Sequence, residues 1–198
     1  MGSVVQRSIS NEVLDKTMRL FWTKGYFNTS VDDVIAVTGF NRTAIYNYFG
    51  SKHDLFLAML KRYRETVTPQ LTAHLRHPEN GLQAIIDFFN QFSSLNKTTM
   101  PSGCFLIATA SDLPSHDKQV SAFIQDFSNE LRALFLNCII QAERSGASID
   151  KKIIADFLMA NIFGLMTLHR TQVSTSAIKH HIETVLLFLQ TLANENNH

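Results

Sequence analysis

Cysteine, proline and glycine are all scarce in these 198 residues, at two, four and eight. Two thiols, Cys104 and Cys138, are too few for a disulfide framework, and no Cys/His spacing around them suits zinc. Neither a stapled secreted domain nor a metal module is expected. The shortage of helix breakers leaves room for long helices. Charge nearly cancels, with 18 basic against 17 acidic side chains, so composition alone points to neither a polyanion nor a membrane surface. No run of about 18 apolar residues offers itself to a bilayer, and the start of the chain lacks the basic-then-apolar pattern of a secretory leader. Met1-Gly2-Ser3 has the look of a myristoylation start, but Gln6 stands where Ser or Thr is required. The expected setting is a reducing cytoplasm, away from membranes.

What is present is apolar content, 45% of residues, arranged almost everywhere with helical period. An all-α protein of about nine helices follows. Ser10 opens the first, running to about residue 24 with a stripe of Val13, Thr17, Leu20 and Phe21. Ser30-Val31-Asp32-Asp33 approximates a capping box for the second, which ends near Thr38-Gly39, and Asn41 caps a short third from Arg42 to Tyr48. Ser51 starts a longer fourth that Pro69 kinks or ends. Leu82 to Leu95, Cys104 to Ala110, Ser115 to about Arg144, an apolar helix opened by Asp150, and Ser176 to Ala193 complete the series.

Helices two and three are short and joined by a tight turn containing Gly39, with a supporting helix before them, which is the layout of a helix-turn-helix. Ile45 and Phe49 mark the inward side of helix three. Opposite them lie Thr43, Ala44 and Asn47, with Arg42 and Tyr46 on one shoulder and Tyr48 on the other. These groups suit base edges and phosphates in a major groove. On an isolated helix the tyrosines read as packing aromatics and Arg42 as a solvated cation; the context favours the recognition surface. Lys52 sits in the first turn of helix four, where the helix dipole disfavours a cation and an external phosphate would explain it. Thr29 and Ser30 offer hydroxyls at the start of helix two. Residues 1 to 65 also carry a net charge of +3 against −2 for the remainder.

Phe21-Trp22-Thr23-Lys24-Gly25-Tyr26, Thr29 to Val34, and Thr38 to Lys52 closely resemble the DNA-binding domain of the TetR (tetracycline-repressor-like, TetR/AcrR type) family over residues 10 to 60. The resemblance implies a bacterial regulator, usually a repressor, that binds double-stranded operator DNA as a dimer and is released by a small-molecule effector. Carried over by position, Arg42, Thr43, Ala44 and Asn47 face bases, while Thr29, Ser30, Tyr46, Tyr48 and Lys52 hold phosphates. Tyr48 and Asn41 depart from the family's usual His and Ser. The domains expected are a reading head over 1–55 and a sensing and dimerisation domain over 56–198.

In that second part, Gly103-Cys104-Phe105-Leu106, Asp112-Leu113 and Gln141 to Gly146 are similar to the regulatory domain of one subgroup of the family. Phe88, Phe89, Phe92, Phe105, Phe123 and Phe127 supply enough aromatic surface to line an effector cavity, or else ordinary core. Cys104 is a candidate cavity residue and, alternatively, a redox or electrophile sensor at a helix start; Cys138 reads as core. Residues 150–194 form two helices too apolar for one subunit to bury, with Ala160 and Gly164 permitting close approach, so a homodimer through them is expected. A ligand-binding module without DNA binding is the other alternative. Ser115-His116-Asp117 cannot form a catalytic relay from adjacent positions, and no histidine pair has metal spacing. No enzyme, cofactor or metal is expected.

Overall fold

A computed structural model describes residues 9–94, 100–112, 117–142, 150–171 and 173–195. Among them lie ten α-helical segments, nine of two turns or more and one of a single turn, and no β-strand. The chain divides into two compact units, Met1–Tyr63 and Arg64–His198, a boundary eight residues beyond the expected one. The shift has a packing cause: Leu55, Phe56, Met59, Leu60 and Tyr63 of the fourth helix are all buried, and two of them join the core of the first unit through aromatic contacts.

The first unit holds α1 (Asn11–Lys24), α2 (Val31–Thr38), α3 (Arg42–Phe49) and most of α4 (Lys52–Thr66). Ser10 caps α1 by accepting the Val13 N–H. The buried face of α1 is Thr17, Met18, Phe21 and Trp22, rotated from the expected stripe, which leaves Val13 and Leu20 half-buried. Phe21 meets Phe56 edge-to-face at 5.2 Å and Trp22 meets Tyr63 at 4.9 Å. On the outside, Arg62 Nε donates to Asp15 at 2.7 Å and ties α4 to α1. Aromatic contacts and the bonds of Arg62 to Asp15 and Asn11 thus set α4 against α1.

The second unit contains the single turn α5 (Thr68–Leu71), α6 (Leu82–Asn90), α7 (Phe105–Asp112), α8 (Lys118–Ala142), α9 (Lys151–Arg170) and α10 (Thr175–Glu195), with short 3-10 turns at His74–Arg76, Pro78–Asn80 and Gln91–Ser94. Pro69 falls in the first turn of α5, so α4 ends before it as expected. The helix expected to reach Leu95 tightens into a 3-10 turn after Asn90. The start of α8 is capped by Asp117, whose carboxylate accepts the Val120 N–H at 3.1 Å. Ser115, the expected cap, lies outside the described residues, as do His116 and the Ser145-Gly146 stop. Arg132 on α8 holds Asp156 on α9, and Arg170 at the end of α9 donates to the Ala108 carbonyl of α7 at 3.3 Å.

The helix α9 is long and apolar enough to cross a membrane by length and composition, which corrects the reading that no segment qualifies. Its Ile154, Ala155, Leu158, Ile162, Leu165 and Met166 are buried inside the helical unit. That burial sets one face of the helix in the core of the unit. Its other side carries Ile153, Phe157, Ala160 and Gly164 outward at spacings of three and four.

Candidate nucleic-acid interface and effector cavity

The geometry of α3 follows from its caps and one anchor. The Asn41 side chain accepts the Ala44 N–H at 2.7 Å, and Gly39 ends α2 in the left-handed conformation, with φ 69°. Ile45 is the buried residue of α3, while Phe49 is only half-buried, edge-on to Tyr48 at 4.8 Å. With Ile45 turned inward, Arg42, Thr43, Tyr46, Asn47 and Tyr48 are all exposed, and Ala44 is half-exposed. Tyr46 and Tyr48 keep 40% and 52% of their surface in solvent, so neither is a core aromatic.

Each flank of this face has its own electrostatics. The Arg42 guanidinium bonds the Asp32 carboxylate of α2, which raises its pKa and gives it an exposed partner that the sequence reading did not foresee. At the start of α2, Ser30 accepts the Asp33 N–H at 3.0 Å and the Ser30 N–H donates back to Asp33 at 2.7 Å, closing a capping box. Lys24 adds a 2.8 Å bond to Asp33, and this cation together with the Ser30 donors holds the carboxyl far below the usual range.

One of the expected phosphate contacts is buried, and another has a neighbour that the sequence did not reveal. Thr29 is fully buried and its hydroxyl donates to the Gly25 carbonyl at 2.8 Å, so the tight turn between α1 and α2 takes up that group. Its side chain does not stand with the exposed set. Lys52 does not need an external anion to account for its place in the first turn of α4, because its ammonium lies 4.4 Å from the centroid of the Tyr26 ring. Partial burial lowers its pKa, with the Asp33 charge opposing. Sequence reasoning missed Tyr26 because a contact between a loop and a helix start leaves no periodic trace.

In the second unit an apolar cavity of about 20 Å³ lies among α5, α6, α7, α8 and α9. Four of the seven expected residues line it, Phe88, Phe92, Cys104 and Phe127. The other three do not. Phe89 stacks on Phe135 in the core, Phe105 is buried without being part of the lining, and Phe123 lies half-buried beneath the Arg64 guanidinium at 5.3 Å. Thr68, Leu71, Thr72, Ile107, Leu131, Ile162 and Met166 complete the lining. A periodic signal was available for most of these: 68/72, 88/92, 127/131 and 162/166 are each i, i+4 pairs. The two threonine hydroxyls donate to the Arg64 and Thr68 carbonyls, so the wall offers no unpaired hydroxyl donor. The volume suits about one water molecule.

Cys104 is buried directly before α7, and its carbonyl accepts the Ala108 N–H at 2.9 Å. Cys138 is fully buried, as expected of a core thiol, with Sγ 3.6 Å from the Leu75 carbonyl. Among the described residues no group of three His, Cys, Asp or Glu side chains is placed to hold a metal ion.

Comparison with known proteins gives two regional matches. The family described as "Bacterial regulatory proteins, tetR family" matches residues 13–59, and "Tetracyclin repressor-like, C-terminal domain" matches residues 78–185. An uncharacterized HTH-type transcriptional regulator of Bacillus subtilis, YezE, is 25% identical over 89% of this chain and 94% of its own length. The Escherichia coli HTH-type transcriptional repressor ComR is 31% identical over 70% of this chain and 80% of its own length. Among solved structures, a cysteine mutant of the TetR family transcriptional regulator CifR, complexed with 26 bp double-strand operator DNA, superposes with a TM-score of 0.77. That pair shares 19% identity, with 91% of this chain and 96% of the other covered, and the likeness is one of fold.

Proposed function

This chain belongs to the TetR family of bacterial DNA-binding transcriptional regulators, and from that membership we propose that it is a homodimeric cytoplasmic repressor, released from its operator by a small-molecule effector. The observation that carries the reading is the outward face of α3, where five side chains able to bond bases or phosphates stay in solvent around one buried isoleucine. Arg42, Thr43, Ala44 and Asn47 contact base edges; Ser30, Tyr46, Tyr48 and Lys52 hold phosphates, with Thr29 behind them shaping the turn. The chain has no catalytic role in this reading.

Dimerisation uses α9 and α10. Ile153 and Leu187 are each 62% exposed, Phe157 is exposed beside Phe188 at 4.5 Å, and Gly164 has open space over it. A second copy covers this apolar face through a twofold axis and spaces two α3 helices by one DNA turn or a multiple.

The effector enters the cavity of the second unit and acts on α4. Arg64, in the last turn of α4, donates to Glu130 of α8 at 3.0 Å, and Glu130 lies one residue from Leu131 and three from Phe127 in the cavity wall. Parting α8 from α5 disturbs that bond and displaces α4, which changes the separation of the two heads. The effector must prefer the DNA-incompetent state; tight binding without preference shifts nothing.

Selection of bound fragments from random duplex DNA tests the reading. The expected product is a twofold-symmetric pair of half-sites, and Arg42→Ala should weaken the selected site roughly ten- to a hundredfold while relaxing the preference at one position per half-site. Absence of any enriched sequence refutes the proposal.

A further inference from the structure

A lysine in the first turn of a helix is held in an unfavourable field, and its long stem is free to swing unless something fixes it. In the first unit that something is an aromatic face. The Lys52 ammonium lies 4.4 Å from the centroid of the Tyr26 ring, within the range where the ring quadrupole attracts a cation. The ring is not loose. Tyr26 packs edge-to-face on Phe56 at 5.0 Å, and Phe56 belongs to the buried core at 1% exposure. Phe27 at 5.3 Å and His53 at 6.3 Å also stand edge-on to the Tyr26 ring. No ion pair of Lys52 is found among the described residues; the nearby Asp33 carboxylate is bonded to Lys24 and Ser30. The ammonium is therefore positioned by a face that attracts its charge without neutralising it. A phosphate can still bind it.

We propose that Tyr26 is a positioning residue for DNA binding, its ring fixing the Lys52 ammonium as a preset clamp for a backbone phosphate. The proposal rests on the DNA-binding reading above and adds a residue that touches no DNA. A carboxylate in place of the ring would hold the lysine equally well but would compete with the phosphate for it. An aromatic face avoids that competition, and holding the side chain in advance reduces the ordering lost on binding.

The test is the salt dependence of binding to a short duplex of random sequence, followed by fluorescence anisotropy. Each lost phosphate contact lowers the slope of log K against log salt by about 0.9, and at about 0.1 M salt that equals roughly an eightfold loss of affinity per contact. Lys52→Met should show this loss. Tyr26→Leu should show most of it with Lys52 intact, Tyr26→Phe should keep the wild-type slope, and Tyr26→Leu combined with Lys52→Met should be no worse than Lys52→Met alone. Because Tyr26→Leu removes core-edge packing, a second variant guards against unfolding: Tyr26→Phe with a perfluorinated ring keeps the packing, inverts the quadrupole, and should lose the same slope. The proposal is overturned if the perfluorinated ring keeps the full slope, if the two losses add, or if Lys52→Met leaves the slope unchanged. A wild-type chain that binds no duplex at all would instead sink the DNA-binding reading.

Discussion

The Gly103→Ala substitution should be costly for a reason that can be worked out atom by atom. Gly103 lies in the loop before α7 with φ 67°, a region where an L side chain costs about 1–2 kcal/mol. A Cβ there would sit 2.5 Å from the Met166 carbonyl oxygen and 3.3 Å from its carbon. That oxygen belongs to the backbone of α9 and cannot swing aside, so the loop or the helix must move, at about 1–3 kcal/mol for a forced overpacking. The expected loss is about 2–5 kcal/mol. For a unit of roughly 135 residues each kcal/mol is worth about 3.5 °C, so the transition of the second unit should fall by roughly 7–18 °C. Gly39→Ala is the control, because it shares a positive φ of 69° but has nothing within 4 Å of the added carbon. It should lose only the conformational part, about 1–2 kcal/mol. The two units are read separately by urea denaturation: fluorescence of Trp22, the single tryptophan, reports the first, and helical circular dichroism reports mainly the second. A Gly103→Ala loss no larger in free energy than that of Gly39→Ala would refute the contact argument.

Ile153→Glu together with Leu187→Glu should convert a dimer at micromolar concentration into a folded monomer by sedimentation, since both side chains are exposed within the subunit; a variant that stays dimeric would place the interface elsewhere. Burial pushes the Cys138 thiol up to about 11, so iodoacetamide near neutral pH should label it only on unfolding, and native-state labelling as fast as in denaturant would contradict that environment. Burial also lowers the pKa of His169 from its ordinary 6.5, against a hydrogen bond to the Phe92 backbone that raises it. The neutral ring is the favoured folded form, so its contribution is complete above about pH 6.5 and erodes as pH falls, because the unfolded chain takes up the proton first. His169→Gln should flatten the change in urea midpoint between about pH 7.5 and about pH 5.5; an unchanged slope would assign the acid sensitivity to other groups.

Much of the first unit was legible because its signals are local. Ser10, Ser30 and Asn41 cap the helices expected of them, each through a bond spanning three residues, and Ile45 turns inward as its spacing requires. The second unit was legible as helices but less so as a site. The ten phenylalanines there look alike in a linear chain, yet Phe88 and Phe92 reach the cavity while Phe89 stacks on Phe135 and Phe123 lies under Arg64. The choice among them depends on how α6 and α8 are rotated about their axes, which neighbouring helices settle.

Periodicity, caps and turn residues by themselves determined the all-helical class, the order of the helices and the outward face of α3, because each depends on residues three or four apart. Only the tertiary structure decided what those residues meet. It brought Tyr26 to Lys52 and Asp32 to Arg42, buried Thr29, and formed a cavity whose wall comes from five helices and the turns beside them. The physical reason is range: a cap is settled within one turn of the chain, whereas a cation's partner or a cavity wall is chosen by packing between segments far apart in sequence.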